Sequence, residues 1–268
     1  MELWGITDSG KIRKQNQDSF RTLLDENKGV AVLIVCDGMG GAKAGNIASA
    51  LAVDAFMDHM GGYIESVADD NDDHDDHDDS DDSDNSDDHD DKDNSVAAAW
   101  LANAVLAANT AVYDKSIQGE EYEGMGTTLT AAISTKYGEV VANIGDSRVY
   151  QITKNSITQI TKDHSVVEDM IMRGDLTRAE ARRHPNKHLI TRALGTSSEE
   201  APDMFFAKLK EGDYILLCSD GLSNVVFDSE ILFELQRGAS VRESCEGLVE
   251  MALSRGAPDN VTAVLFQK

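Results

Sequence analysis

Four aspartates of this 268-residue chain stand where an apolar, strand-like run gives out. Asp37 follows Val30 to Cys36, Asp146 follows Val140 to Gly145, Asp220 follows Tyr214 to Ser219, and Asp259 stands just before Val261 to Phe266. A buried strand fixes the direction of the carboxylate at its end, and Gly38, Gly221, Ser147 or Asn260 beside it lets backbone or ligand come close. Several such carboxylates at one sheet edge repel each other unless a cation lies between them. Hard divalent ions with oxygen ligands, magnesium or manganese, are the natural counter-charge.

The length fits one large domain or two small ones, and 41% apolar residues supply a sizeable core. The chain reads as one globular domain, residues 1–268, carrying an insert. Its net charge of -25 is unevenly placed: sixteen aspartates and Lys92 between Asp69 and Asp93 hold -15, leaving -10 for the remainder. This balance argues against non-specific nucleic-acid or anionic-membrane binding, both of which need clustered Lys and Arg. Of three cysteines, Cys36 and Cys218 lie inside apolar runs where a thiol behaves as a small buried hydrophobe, so no disulfide framework is expected. The first ten residues lack a basic stretch followed by an apolar one, and no run approaches the roughly 18 apolar residues of a membrane span. A cytoplasmic setting is the expectation.

Strands are expected at Glu2–Thr7, Asp18–Leu24 and Val30–Cys36, with a polar turn from Asp8 to Gln17. Helical spacing of Ile47, Leu51, Phe56 and Met60 predicts a helix over 42–60, and a second from Ser95, a good N-cap, to about Ile117 with Trp100, Leu101, Val105, Ala108 and Val112 as its stripe. Short alternating segments from Thr127 to Ile160 read as antiparallel strands. Further strands fall around Phe205 and Ile215, helices around Leu232 and Leu248, and a last strand begins at Val261. Strands and helices in blocks point to an α+β class.

Six short motifs occur in order: Arg13 to Asp18 (RKQNQD), Asp37 to Gly41 (DGMGG), Gly126 to Thr128 (GTT), Gly145 to Arg148 (GDSR), Ser219 to Leu222 (SDGL) and Asp259 to Asn260 (DN). An Asp-Gly pair alone is an ordinary turn. The ordered set, running from Trp4 to Phe266, resembles the metal-dependent type 2C, or PPM, protein serine/threonine phosphatases in their bacterial form.

That resemblance implies a four-layer α-β-β-α sandwich of two antiparallel sheets flanked by helices, with a pair of divalent cations, manganese or magnesium, at one end. It implies that Asp37 bridges the two ions, that the Gly38 carbonyl binds one, and that Asp220 and Asp259 bind the other. Asp18 matches an outer acid that holds metal-bound water, and Asp146 with Asp220 matches a third, more loosely held metal. Arg13 is read as the phosphate clamp, because a guanidinium holds two phosphoryl oxygens at once. The implied reaction is hydrolysis of phosphoserine and phosphothreonine by a hydroxide bridging the metals. The implied partners are phosphorylated proteins and a cognate serine/threonine kinase of bacterial type, and the chain is expected to act as a monomer. Two positions depart from many eukaryotic members: Gln17 replaces an acid and Met39 replaces a histidine. Protonation of the leaving oxygen is therefore open between a metal-bound water and His164, which reads first as a structural residue.

Between Ser165 and Leu194 lie Arg173, Arg178, Arg182, Arg183, His184, Lys187, His188 and Arg192. This basic stretch coincides with the family's flap, at about 164–194; it either attracts phosphopeptides or is a solvated face. Pro185 argues against a helical metal site at His184 and His188. The acid- and histidine-rich stretch at about 69–94 lies outside the family pattern and is expected to be a disordered loop between two helices. It lacks the glycine and closing glutamate of a calcium loop. No cysteine stands six residues before an arginine in a phosphatase loop, and the P-loop and dinucleotide fingerprints fail at Lys43. Two rival readings are a catalytically silent phosphoprotein binder and a metal buffer built on the aspartate run.

Overall fold

The computed structural model describes residues 1–40, 44–67 and 86–268. In chain order its strands are β1 (Glu2–Asp8), β2 (Asp18–Asp25), β3 (Val30–Met39), β4 (Gly126–Thr127), β5 (Leu129–Ser134), β6 (Glu139–Ile144), β7 (Arg148–Ile152), β8 (Ile157–Gln159), β9 (Asp203–Ala207), β10 (Tyr214–Cys218) and β11 (Val261–Gln267). The helices are α1 (Gly45–Ser66), α2 (Ser86–Ser116), α3 (Val166–Arg173), α4 (Arg178–Ala181), α5 (Asp220–Ser223), α6 (Asp228–Gln236) and α7 (Val241–Ser254). One antiparallel sheet has the order β1-β11-β10-β7-β8; the other runs β2-β3-β5-β6-β9, with β4 paired to β3.

Burial on both faces explains why β3 is apolar at every position from Val30 to Cys36. Val30, Val32, Ile34 and Cys36 pack toward α1 and α2, while Ala31, Leu33 and Val35 pack toward the other sheet. Across the sandwich, Leu216, Cys218, Ala263 and Leu265 pack on Ile231 and Leu235 of α6 and Cys245 and Leu248 of α7. The expected α-β-β-α layering and α+β class are what the chain forms.

Three local expectations change. β3 does not end before Asp37 but runs to Met39, because Gly126 and Thr127 supply a short partner strand to Gly38 and Met39. Helix α2 begins at Ser86 and not at Ser95, so residues 86–94 of the stretch expected as disordered are helical. Once the stripe of Leu101, Val105, Ala108 and Val112 is buried, extending the helix adds one backbone hydrogen bond per residue without a new nucleus. Residues 69–85 of that stretch, and the expected helix start at Ala42, lie outside the described residues. Finally, Asn94–Ser116 is long and apolar enough by composition to cross a membrane, with mean hydropathy 1.4. Its alanine-rich stripe packs on α1 and the sheet, as a core helix does.

The inner face between the sheets changes character toward one end. Along β3 the row Ala31, Leu33, Val35 is continued by Asp37, and along β10 the row Ile215, Leu217 is continued by Ser219. In β11, Phe266 and Val264 are preceded by Thr262; in β5, Ala132 is preceded by Thr130 and then Thr128. Each apolar row thus ends in a polar group at the same edge of the sandwich.

Candidate active site

Asp18 and Asp37 are direct partners in the β2–β3 ladder, which puts two carboxylates side by side on the inner face. Like charges directly opposite one another destabilise a sheet, so other contacts must hold them there. The Asp37 backbone is held by the GTT segment: its N–H donates to Thr128 Oγ1 (2.9 Å), and its carbonyl accepts from the Thr128 N–H (2.8 Å) and Thr127 Oγ1 (2.9 Å). Thr128 is in turn hydrogen-bonded to Ser147 Oγ at 2.7 Å, which ties in the turn carrying Asp146. At Gly38 a Cβ would collide with the Gly45 carbonyl oxygen at the start of α1, so only glycine lets that helix approach.

Asp220 opens helix α5; its Oδ2 accepts from Asn224 Nδ2 at 2.9 Å. A Cβ on the adjacent Gly221 would overlap the Asn260 carbonyl oxygen, and this close approach brings Asp259 alongside. Asn260 threads the polar turn 8–17. Its Nδ2 donates to the Ser9 (3.0 Å) and Gln15 (2.9 Å) carbonyls, and its Oδ1 accepts from the Gln17 N–H (2.8 Å). The loop that bears Arg13 and Asp18 is thereby fastened to the start of β11.

Burial is the largest influence on four of these acids: it pushes Asp37 and Asp146 well above the usual carboxylate range, Asp18 to about 7 and Asp220 to about 6. Neighbouring charge adds to it. Asp18, Asp220, Asp146 and Asp259 all raise Asp37, Asp220 raises Asp146, and Asp259 raises Asp220. The five aspartates singled out in the sequence are therefore brought together.

The donor set fits hard divalent cations. It consists of carboxylate and carbonyl oxygens, and two buried carboxylate oxygens, Asp18 Oδ1 and Asp220 Oδ1, have no hydrogen-bond partner. Among the described residues no three acidic, histidine or cysteine side chains close into a ready ligand cage. The carboxylates are nonetheless within reach of one another's fields.

Arg13 lies in the cleft, bonded to one of the acids. Its Nη2 donates to Asp259 Oδ2 at 2.7 Å, with the arginine side chain 52% exposed. A guanidinium has five N–H donors, so one such bond leaves it able to hold a phosphoryl group. His164 takes the structural role: its Nδ1 accepts from the Gly145 N–H at 3.1 Å, and its Nε2 lies 3.2 Å from Asp203 Oδ2 and 3.1 Å from Arg192 Nη1. It steadies the turn before Asp146.

Segment 164–194 is folded as α3 and α4, and its ends are tied by Ser165–Ile190 and Thr127–Leu194 bridges. Part of its basic charge is already matched. Arg178 lies 3.3 Å from Glu168, Arg182 lies 3.8 Å from Asp228 and over the Phe227 ring, and Arg192 bonds Glu200 and Asp203, both at 2.7 Å. Lys187 is near enough to Asp220 to lower its pKa against the other influences. His184 lies beyond the end of α4, so His184 and His188 share no helix. A cavity of about 230 Å³ joins the segment to the carboxylates, lined by Asp146, Arg148, Glu168, Arg182, Lys187 and Asp220 among others.

Residue-by-residue reading of the sequence missed the hydroxyl groups of Thr128, Ser147, Ser219 and Thr262, all buried here. Their signal is positional: Ser147, Ser219 and Thr262 stand two residues from the inner apolar residues Val149, Leu217 and Val264, and Thr128 two beyond Thr130 in the row of Ala132.

The sequence model of the protein phosphatase 2C family matches residues 11–265, and the chain belongs to that family. Protein phosphatase PhpP of Streptococcus pneumoniae is 34% identical over 266 residues, covering 99% of this chain and 96% of the relative. The structure of serine/threonine phosphatase Stp1 from Staphylococcus aureus aligns with a TM-score of 0.82 at 32% identity, covering 100% of this chain and 94% of that one. The catalytic domain of serine threonine protein phosphatase PstP, solved in complex with 2 manganese ions, aligns with a TM-score of 0.76 at 35% identity, covering 98% and 96% of the two chains.

Proposed function

We propose that this chain is a manganese- or magnesium-dependent phosphatase that removes phosphate from phosphoserine and phosphothreonine of proteins. The observation that carries the reading is the convergence of Asp18, Asp37, Asp146, Asp220 and Asp259 at one mouth of the sandwich, with an unpartnered oxygen on Asp18 and on Asp220. Asp37, the Gly38 carbonyl, Asp220 and Asp259 would hold two divalent ions, and Asp146 with Asp220 a third, weaker one. Two such ions, when bound, supply a water made nucleophilic near neutral pH and neutralise phosphoryl charge during in-line displacement.

The chain's own residues supply the rest. Arg13, at the rim beside Asp259, holds phosphoryl oxygens through a planar donor pair. Asp18 orients water from a fixed buried position. His164 is engaged with Gly145 and Asp203, so the proton for the leaving oxygen is not assigned to it. The names carried by the relatives support phosphoproteins as substrates, and the enzyme opposed under this reading is a serine/threonine kinase. Three free, buried cysteines support a cytoplasmic setting, with the chain acting as a monomer.

The test is hydrolysis of a phosphothreonine peptide and of p-nitrophenyl phosphate by metal-stripped protein, before and after manganese is added. Activity that appears only with metal is expected. Silence of the folded protein across several divalent metals would overturn the reading in favour of a phosphoprotein binder.

A further inference from the structure

Asp18 is held by a hydrogen-bond circuit that crosses from one sheet to the other. Thr262 Oγ1 lies 2.6 Å and Ser219 Oγ 2.8 Å from Asp18 Oδ2. Thr262 Oγ1 also lies 2.7 Å from Thr7 Oγ1, its direct cross-strand partner in β1. Thr7 Oγ1 accepts from Asn16 Nδ2 at 2.8 Å, and Asn16 Oδ1 accepts from the Asp18 N–H at 3.1 Å, which closes the ring.

The direction of every bond follows from counting protons. Once Asp18 is ionised its Oδ2 only accepts, so Thr262 gives its single hydroxyl proton to Asp18. Thr7 must then give its proton to Thr262, and its remaining acceptor site takes the proton that Asn16 can only donate. Ser219 likewise donates to Asp18 while accepting the Thr262 N–H at 3.0 Å. Each hydroxyl proton in the circuit has one acceptor, and Oδ2 receives those of Thr262 and Ser219. Oδ1 has no partner and belongs to the same carboxylate whose register neighbour is Asp37.

We propose that Thr262 is a positioning residue for Asp18: the circuit Asn16–Thr7–Thr262 pins Oδ2 and so aims Oδ1 at the carboxylate cluster. The inference rests on the proposed divalent-metal site and adds the residues that orient its outer acid. Hydroxyls on β1 and β11 and on Ser219 just after β10 direct a carboxylate on β2, so the two sheets hold the site in shape together. Thr262 and Thr7 touch neither substrate nor ion in this arrangement and act through Asp18.

The experiment compares Thr262→Val, Thr262→Ser and Thr7→Val with the parent, by manganese titration of metal-stripped protein and by steady-state turnover. Thr262→Val should weaken manganese binding and lower kcat by ~10–100-fold with KM little changed, the range seen when a group behind a ligand is lost. Thr262→Ser should recover to within ~3-fold of the parent, and Thr7→Val, one bond further out, should lose ~3–10-fold. Serine as weak as valine would show that volume and not the hydroxyl matters, and would overturn the proposal. So would parent-like manganese affinity and kcat in Thr7→Val, which also decides the case if Thr262→Val fails to fold. A folded parent that binds no manganese takes down the metal site itself, and is told apart because it fails before any variant is compared.

Discussion

Glu139, at one end of the sandwich, and Asp18, at the other, are both buried carboxylates, and they are treated in opposite ways. Glu139 opens β6 with its side chain fully buried; it accepts from Ser134 Oγ (3.0 Å), Lys268 Nζ (2.8 Å) and the Leu209 N–H (2.6 Å). Every strong acceptor site has a donor and the charge has its cation. Asp18 has hydroxyls on one oxygen, nothing on the other, and another carboxylate as its ladder neighbour. A buried carboxylate with its own cation fastens a fold, whereas several gathered at one mouth, with only Asp259 bonded to an arginine, suit the divalent-cation site proposed above.

The sharpest way to break this contrast is to remove one charge from each end. Asp220→Ala should lower turnover on p-nitrophenyl phosphate by more than the ~10–100-fold typical of changes behind a ligand, because it deletes a proposed ligand itself. Its melting temperature in chelator should hold or rise, since one repelling, desolvated carboxylate is gone. Parent-like turnover would show that the cluster is only structural. Glu139→Ala should do the reverse. It strands Lys268 and the Leu209 N–H, and with Lys268 partly screened by solvent the loss should be about 2–4 kcal/mol in a urea titration. Its kcat, measured well below the unfolding midpoint, should stay within about twofold of the parent, as for a change far from the chemistry.

A smaller effect sharpens the comparison without any loss of function. Asp18, pushed to about 7, and Asp220, pushed to about 6, hold protons in the folded protein that the unfolded chain releases near pH 4. Their contribution to stability is therefore full below about pH 4 and is lost as pH rises through about 6 to 7. Thermal melts in chelator should decline over that window, and Asp18→Asn should flatten the decline. An unchanged slope in the variant would mean that Asp18 is not the group responsible.

Several of these features were legible in the residues alone. The continuous apolar run Val30–Cys36 announced a strand covered on both faces, and glycine after Asp37 and Asp220 announced the close backbone approaches that the Gly38–Gly45 and Gly221–Asn260 contacts display. Helix α2 was placed by its stripe but not by its start, because Ser95, which has the chemistry of a cap, lies inside the helix. The basic segment looked more positive than it is, since Glu168 within it, Glu200 and Asp203 just after it and the more distant Asp228 meet its arginines.

The order of six motifs, the α+β pattern and the identity of the acids belong to the sequence by itself, because strand burial and glycine placement are local properties written at fixed spacing. Which oxygen of Asp18 is pinned, which partner Arg13 takes and which buried carboxylate is neutralised belong to the tertiary structure. Thr7 and Thr262, or Arg13 and Asp259, are nearly the whole chain apart. Only the pairing of β1 with β11 and the closure of the two sheets decide that their atoms meet.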